Sequence, residues 1–256
     1  MNTFGYVLSG GGARGLAHLG VLKLLEETGI KPHAIAGTSA GAIAGALYAS
    51  GKGPEEILDL FKQNNLFGWS NIAWQKDGFF SMAVLRKLLK GAIGHDQFEG
   101  LKTKLFVAAT DLIEGRSVIF STGNLVEAVV ASASVPVVFE PVKYNDMMLV
   151  DGGILNNFPA EPLKDICDVI IGSYVNKIEK GIGNHSFFKT KNILDRCFHL
   201  AIANTAYSKV KDCDVFIEVP LHGYDMFDVK LADKMFDIGY QTALLHKEKL
   251  LELKEK

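Results

Sequence analysis

The sequence predicts an α/β fold, because its N-terminal part alternates between strand and helix signals. Phe4–Leu8 is a short apolar strand, and Leu16–Glu27 carries the apolar spacing of a helix. Ala34–Ala36 is a second buried strand, and Ala40–Tyr48 consists mostly of helix formers. Two strands joined by a helix within about 30 residues are typical of a parallel crossover, which characterises the α/β class.

The remaining elements predict a single domain over residues 1–256, since no repeat, low-complexity tract or linker separates them. Helices are expected at 54–64, 81–90, Phe187–Val210 and Leu231–Leu253, strands at Leu105–Ala109, Asp168–Tyr174 and Val215–Val219, and a hairpin at Val142–Val150 that turns at Asn145-Asp146. Segment 65–80 contains Trp69 and Trp74 and is long for a structureless connection. We expect it to be a lid or a binding loop, or else an apolar cluster packed under a loop.

The composition excludes several classes of protein. With 48% hydrophobic residues and a net charge of −2, the chain is neither disordered nor basic enough to have nucleic acid as a partner. Its three cysteines lie far apart, which predicts no disulfide framework and no metal site and favours a reducing compartment. The uncharged stretch 32–51 is too polar for a membrane span, and Met1–Thr3 has no basic region of a signal peptide. We therefore expect a soluble, cytoplasmic protein.

Glycine is concentrated near the N-terminus, where the first 53 residues hold 12 of the 26 glycines. Six of these first 53 residues form the first motif, Gly10-Gly11-Gly12-Ala13-Arg14-Gly15, between a strand and a helix. This spacing matches a dinucleotide-binding loop, but that loop needs an acidic residue about 20 positions further on. No acidic residue lies between Glu27 and Glu55, so we expect no nucleotide cofactor, and indeed no cofactor of any kind.

The same loop suits a negative charge, because bare N–H groups at a helix N-terminus attract anions. Arg14, one of four arginines, lies in the first helical turn, where the helix dipole disfavours a cation by ~0.3–1 kcal/mol. A bound or developing anion would offset this cost. The alternative is a tight turn that carries a surface arginine.

The second motif, Gly37-Thr38-Ser39-Ala40-Gly41, has the G-x-S-x-G spacing of a nucleophile elbow at a strand-to-helix turn. The glycines allow a sharp turn that projects the serine oxygen, and the helix N-terminus favours a developing oxyanion. The alternative is that Ser39 only caps the helix.

The third motif, Asp151-Gly152-Gly153, places an acid at the end of a strand. If that strand is an inner one, Asp151 lies at the same edge of the sheet as Ser39. Asp111 also ends a strand and is the competing base. No histidine lies in a recognisable motif; His18 is on the first helix with a packing or surface role, and the candidates that follow Asp151 are His185, His199, His222 and His246.

In this order, the three motifs resemble those of the patatin-like phospholipase family. Residues 131–136 (ASASVP) and 151–159 (DGGILNNFP) resemble two further blocks of the family, so that the likeness covers about residues 7–159 and weakens beyond them. The resemblance implies a three-layer α/β/α fold with a mainly parallel central sheet. It also implies a small, single-domain member of bacterial type, with its motif-bearing core at about residues 4–160.

The resemblance further implies a Ser39–Asp151 dyad without histidine, in which Asp151 takes the proton of Ser39 and an acyl-enzyme forms. The oxyanion loop comprises Gly10, Gly11, Gly12, Arg14 and Gly15, with the amides of Gly11 and Gly12 as the expected donors. The expected partner is a lipid or acyl-ester substrate, with transient contact to a membrane surface left open. Two alternatives are a non-catalytic regulatory or scaffold protein that retains the fold, and a nucleotide-binding oxidoreductase, which the missing acid disfavours.

Overall fold

The computed structural model describes residues 2–64, 82–136, 138–178, 190–224, 226 and 229–256. The aromatic segment 65–80, expected to be a lid or a packed loop, lies outside the described residues, as does His185. Among the described residues, no helix has both the length and the apolar content needed to cross a bilayer.

Five parallel strands form the centre of the sheet, in the order β3-β2-β1-β7-β8. These strands are β1 (Phe4–Leu8), β2 (Pro32–Thr38), β3 (Lys104–Asp111), β7 (Val169–Tyr174) and β8 (Val215–Glu218). All six residues of β7 are buried, as expected for a strand that is covered on both faces. The mostly parallel α/β sheet predicted from the sequence is confirmed.

Three further strands join one end of this sheet in antiparallel orientation. Strand β4 (Arg116–Phe120) pairs with β3, and a hairpin of β5 (Val142–Tyr144) and β6 (Met147–Asp151) attaches through β6. The hairpin turns at Asn145, which has φ 53°, a left-handed conformation that asparagine tolerates. The predicted hairpin is therefore present, and Asp151 is the last residue of its second strand.

Helices cover both faces of the sheet and so make the three layers. The larger apolar core lies on the face of α1, α2, α5 and α8, and the smaller one, with Phe158 and Tyr174, lies on the face of α7. The helices are α1 (Leu16–Glu27), α2 (Ala40–Ala49), α3 (Pro54–Asn64), α4 (Ala83–Ile93), α5 (Leu125–Ser132), α6 (Gly153–Asn156), α7 (Thr190–Tyr207), α8 (Ala232–Leu244) and α9 (Lys247–Glu255).

The structure corrects one predicted helix. Leu231–Leu253 is not continuous but is divided into α8 and α9 around Leu245 and His246. At this break Leu245 is 83% exposed, whereas Leu250 in α9 is fully buried in the core. Burial of Leu250 thus outweighs the continuity that the helical pattern predicts.

Candidate active site

Ser39 lies on the turn between β2 and α2 in a strained backbone conformation, with φ 53° and ψ −120°. Such a conformation costs roughly 1–3 kcal/mol for a residue other than glycine, and it persists only where the surroundings impose it. The N–H of Ser39 donates to Ser132 Oγ at 2.8 Å, and Ser132 in turn donates to the Ala108 carbonyl at 2.6 Å. Its side chain makes no capping bond to α2. The alternative that Ser39 merely caps the helix is therefore excluded.

The glycines of the elbow allow the turn to pack against neighbouring main chain. A Cβ at Gly37 would lie 2.6 Å from the carbonyl oxygen of Gly41. A Cβ at Gly41 would lie 2.2 Å from the carbonyl oxygen of Leu8, at the end of β1. Both distances are far below van der Waals contact, so the G-x-S-x-G pattern is needed for this tight packing.

Ser39 and Asp151 are adjacent because two strands end against neighbouring residues of β3. Thr38, the last residue of β2, pairs with Ala108, and Asp151, the last of β6, pairs with Ala109. Strand β4 pairs with β3 along the whole stretch from Val107 to Asp111, so β2 and β6 must share the opposite edge of β3. The two strands therefore run towards each other from opposite directions. We expected a shared carboxyl edge; the antiparallel β6 reaches the same place from the other side.

The two side chains form a direct pair. Ser39 Oγ donates to Asp151 Oδ2 at 2.6 Å, and the Gly153 N–H donates to Asp151 Oδ1 at 2.7 Å. Asp151 is 3% exposed, and burial raises its pKa to about 6, although the hydrogen bonds from Ser39 and Gly153 oppose the rise. A carboxylate with this pKa is a better proton acceptor than an ordinary aspartate and is still ionised at neutral pH.

The turn that follows Asp151 is fixed by main-chain hydrogen bonds. Asp151 N–H donates to the Ser134 carbonyl at 2.9 Å, and Gly152 N–H donates to the Ser132 carbonyl at 3.2 Å. A Cβ at Gly152 would lie 2.2 Å from the Ala108 carbonyl oxygen. Residues 132–134, which lie within the segment 131–136 that resembles the family, thus hold both the elbow and the turn that carries the carboxylate.

The glycine loop leaves two amides open near the nucleophile. Gly10 lies beside Ser39, since a Cβ at Gly10 would be 3.1 Å from Ser39 Cβ. Its N–H donates to the Asn157 carbonyl at 3.3 Å, so this amide is already used. In the described part of the chain, neither Gly11 N–H nor Gly12 N–H donates a hydrogen bond. These are the two amides expected from the sequence to serve as oxyanion donors, and that role stays a prediction.

Arg14 and Gly15 each contact other segments of the chain. Arg14 Nε donates to the Tyr224 carbonyl at 2.8 Å, and Nη1 lies 3.1 Å from His199 Nε2 on α7. The guanidinium thus links the glycine loop to α7 and to the C-terminal part of the chain. A Cβ at Gly15 would lie 2.5 Å from Ala40 Cβ, so Gly15 allows the loop to pack against the start of α2.

His18, on α1, is held inside the fold by two hydrogen bonds. His18 is fully buried; its Nε2 donates to the Ser9 carbonyl at 2.8 Å, and its Nδ1 accepts from Ser173 Oγ at 2.7 Å. Burial lowers the pKa of His18 to about 4, so it is neutral at physiological pH. The packing role expected for His18 is the one seen. In the described residues, no histidine contacts the Ser39–Asp151 pair.

Asp111, the competing base, is also buried but points elsewhere. Its Oδ1 accepts from the Ile113 N–H at 3.1 Å in a local turn, and no hydrogen bond joins it to Ser39 among the described residues. Asp151, and not Asp111, is therefore the carboxylate that accepts from Ser39 among the described residues. Within the same part of the chain, no group of three His, Cys, Asp or Glu side chains is arranged to hold a metal ion.

The comparison with protein families agrees with these motifs. The family model described as "Patatin-like phospholipase" matches residues 6–164, which include the glycine loop, Ser39 and Asp151. The chain belongs to the patatin-like phospholipase family. This match covers more than half of the chain and runs from Tyr6, within β1, past the end of β6.

Relatives of this patatin-like chain are larger proteins. An uncharacterised NTE family protein of Mycobacterium tuberculosis is 35% identical over 164 residues, which are 62% of this chain and 27% of the relative. A protein of Aspergillus fumigatus named lysophospholipase is 26% identical over 283 residues, with 96% of this chain and 18% of the relative covered. The match therefore spans about a quarter of the length of the Mycobacterium tuberculosis relative and about a fifth of the length of the Aspergillus fumigatus relative.

A solved structure shares the fold. The crystal structure of VipD from Legionella pneumophila superposes with a TM-score of 0.59 at 14% identity, covering 98% of this chain and 67% of that one. This likeness supports the patatin-like α/β architecture, including its C-terminal part beyond residue 164.

Proposed function

We propose that the chain is a serine acyl-ester hydrolase of phospholipase, lysophospholipase or esterase type, which acts through a Ser39–Asp151 dyad. The observation that supports this most strongly is the 2.6 Å hydrogen bond from Ser39 Oγ, on a strained elbow, to the buried Asp151 carboxylate. Membership of the patatin-like phospholipase family supports a lipid hydrolase in general. The dyad, its mechanism and the ester specificity are the proposal.

In the first step, Ser39 Oγ attacks the acyl carbonyl carbon while Asp151 Oδ2 takes the hydroxyl proton. The carbonyl oxygen gains the negative charge and accepts hydrogen bonds from the open amides of Gly11 and Gly12. Such donors are typically worth ~2.7–4 kcal/mol each in the transition state. The tetrahedral intermediate then collapses, the bond to the leaving alkoxide breaks, and Asp151 returns its proton to that oxygen. An acyl-enzyme on Ser39 remains.

In the second step, a water molecule attacks the acyl-enzyme in the same way. Asp151 takes a proton from the water as its oxygen attacks the acyl carbon, and the Ser39–acyl bond then breaks. The proton on Asp151 returns to Ser39 Oγ, and the fatty acid leaves. One carboxylate serves both steps because burial raises its pKa to about 6. With a pKa this close to neutral pH, Asp151 can both take up and give back a proton during the reaction.

Lipids or related acyl esters are the proposed substrates, in keeping with the family and with the relative named lysophospholipase. A cytoplasmic location, a single domain and transient contact with a membrane surface remain predictions from the sequence. The same holds for the absence of a cofactor.

The test is acid release from a panel of acyl esters of increasing chain length and from lysophospholipids. We expect wild type and Ser50→Ala to release fatty acid and Ser39→Ala to release none. Ser50 lies at the opposite end of α2, and its hydroxyl donates to the Leu47 carbonyl, so it controls for loss of a serine hydroxyl. Equal, background-level release by folded wild type and Ser39→Ala would instead favour the non-catalytic scaffold.

A further inference from the structure

Asn176 lies just beyond β7 and binds the glycine loop from the side opposite the nucleophile. It is 2% exposed, and its Nδ2 donates to the carbonyl oxygen of Gly10. The two residues are 166 positions apart in the chain, so the bond depends on β1 and β7 being neighbours. No sequence motif includes Asn176.

This bond determines where the next amide points. In a trans peptide, the C=O of Gly10 and the N–H of Gly11 point in opposite directions. Because the Gly10 carbonyl points towards Asn176, the Gly11 N–H must point away from it. No cis peptide bond occurs among the described residues, so the argument holds here.

The direction away from Asn176 is the direction towards Ser39. Strand β1 lies between β7, which leads to Asn176, and β2, which leads to Ser39. A Cβ at Gly11 would meet Val175 at 2.5 Å and Asn176 at 3.1 Å, on the β7 side. A Cβ at Gly10 would meet Ser39 Cβ at 3.1 Å, on the β2 side. The Gly10–Gly11 peptide therefore spans the gap with its N–H on the side of the nucleophile.

A second anchor holds the preceding peptide, between Ser9 and Gly10. The N–H of Gly10 donates to the Asn157 carbonyl, so both peptide groups of Gly10 are held, each by a different segment of the chain. Without the Asn176 bond, only one of the two would remain. A glycine loop has little intrinsic preference for one orientation, because glycine populates a wide range of backbone conformations.

The side-chain oxygen of Asn176 indicates that a contribution to stability alone does not account for an asparagine at this position. Its Oδ1 is buried and has no hydrogen-bond partner among the described residues. A buried acceptor without a partner is unfavourable, and such groups in folded proteins are uncommon enough to need a reason. We propose that Asn176 is a positioning residue that turns the Gly11 N–H towards the developing oxyanion; this inference rests on the proposed hydrolase function.

The experiment compares Asn176→Leu with wild type and with Asn2→Leu. Leucine has the same branched skeleton of side-chain heavy atoms as asparagine, but its two methyl groups are bulkier and donate no hydrogen bond, so the denaturation midpoint is measured to separate any cost of packing from the loss of the bond. Asn2 is the matched control, because its Nδ2 also donates to a main-chain carbonyl, that of Leu253 at 2.9 Å, away from the site. Three quantities are measured: kcat and KM on a soluble ester, the rate of labelling by a fluorophosphonate, and the denaturation midpoint.

We expect kcat of Asn176→Leu to fall about 10- to 100-fold, below the loss for complete removal of an oxyanion donor. KM should stay within about twofold, because the oxyanion forms only in the transition state. Labelling should slow by a similar factor, since attack on phosphorus also builds charge on an oxygen in the hole. Asn2→Leu should leave kcat and labelling unchanged.

A kcat for Asn176→Leu within about twofold of wild type would overturn the inference. So would a loss of kcat that tracks a lower midpoint, with labelling unchanged per folded molecule, since that is the behaviour of a purely structural residue. In both cases an active wild type leaves the proposed function intact. A folded wild type that neither releases acid nor reacts with the fluorophosphonate would overturn the proposed function together with this inference.

Discussion

Replacing Asp151 by Asn should abolish ester turnover and at the same time stabilise the protein. Burial raises the pKa of Asp151 from 3.8 to about 6, so the folded protein holds this charge at a cost. The unfolded chain ionises the group at lower pH. At pH 8 the penalty is fully present, and at 1.36 kcal/mol per pKa unit it is about 3 kcal/mol.

The sign follows from proton binding. Between pH 3.8 and about 6 the folded state binds more protons than the unfolded state, so this group's contribution to stability decreases as pH rises. Asparagine carries no charge at any pH, so the variant lacks this decrease. Its side chain can still accept the Gly153 N–H through Oδ1 and donate to Ser39 Oγ through Nδ2. The local packing is therefore retained while the base is lost.

The measurement is the free energy of unfolding by urea at pH 8 and at pH 5, for wild type, Asp151→Asn and Asp146→Asn. We expect Asp151→Asn to exceed wild type by up to about 3 kcal/mol at pH 8 and by roughly half as much at pH 5. Taking the difference between variants cancels other titrating groups, such as His18. Asp146 is exposed in the β5–β6 turn and should change stability by less than about 0.5 kcal/mol. An Asp151→Asn variant that is less stable than wild type at pH 8, or that differs from it equally at both pH values, would refute the reasoning.

Three further outcomes follow from the same geometry. The rate constant kcat/KM should fall on the acidic side with a midpoint near pH 6, where Asp151 becomes protonated, and a pH profile on a soluble ester measures this. Ser132→Ala should lose about 1–3 kcal/mol in urea unfolding and most activity, because the N–H of Ser39 is left buried without an acceptor. Ser134→Ala loses only a hydrogen bond to the Val130 carbonyl of the preceding helix α5 and should lose less than about 1 kcal/mol. Gly41→Ala should lose more than about 4 kcal/mol or fail to fold, because its Cβ would lie 2.2 Å from main chain, whereas Gly91→Ala, in open space on α4, should gain up to about 1 kcal/mol in thermal or urea unfolding.

The sequence predicts the central strands and helices well because their apolar periodicity is strong. Phe4–Leu8 and Leu16–Glu27 have the same bounds in the structure as in the prediction. Strand β4 and helix α5 were not predicted. Strand β4 is an exposed edge strand with little alternation, and α5 is apolar on nearly every side, so neither shows a clear period.

The site itself could be only partly predicted from its motifs. Ser39 and Asp151 could be predicted because each lies close to glycines in the sequence. The two residues meet because strands β2 and β6 end head-on beside β3, and this depends on strand pairing that no local pattern shows. The same limit applies to Ser132 and Asn176. Ser132 accepts a hydrogen bond from the Ser39 N–H, 93 positions away in the chain, and Asn176 donates one to the Gly10 carbonyl, 166 positions away. Such contacts exist only after the sheet has formed.

Covalent labelling of Ser39 tests the central claim most directly. The folded protein is treated with a fluorophosphonate, digested, and analysed by peptide mass spectrometry, with Ser39→Ala and Ser50→Ala treated in parallel. The Ser39–Asp151 dyad predicts a single adduct on Ser39 in wild type and Ser50→Ala, with loss of ester turnover in proportion to labelling, and no adduct in Ser39→Ala. Folded wild type without an adduct at Ser39, or ester turnover that persists in Ser39→Ala, would contradict it.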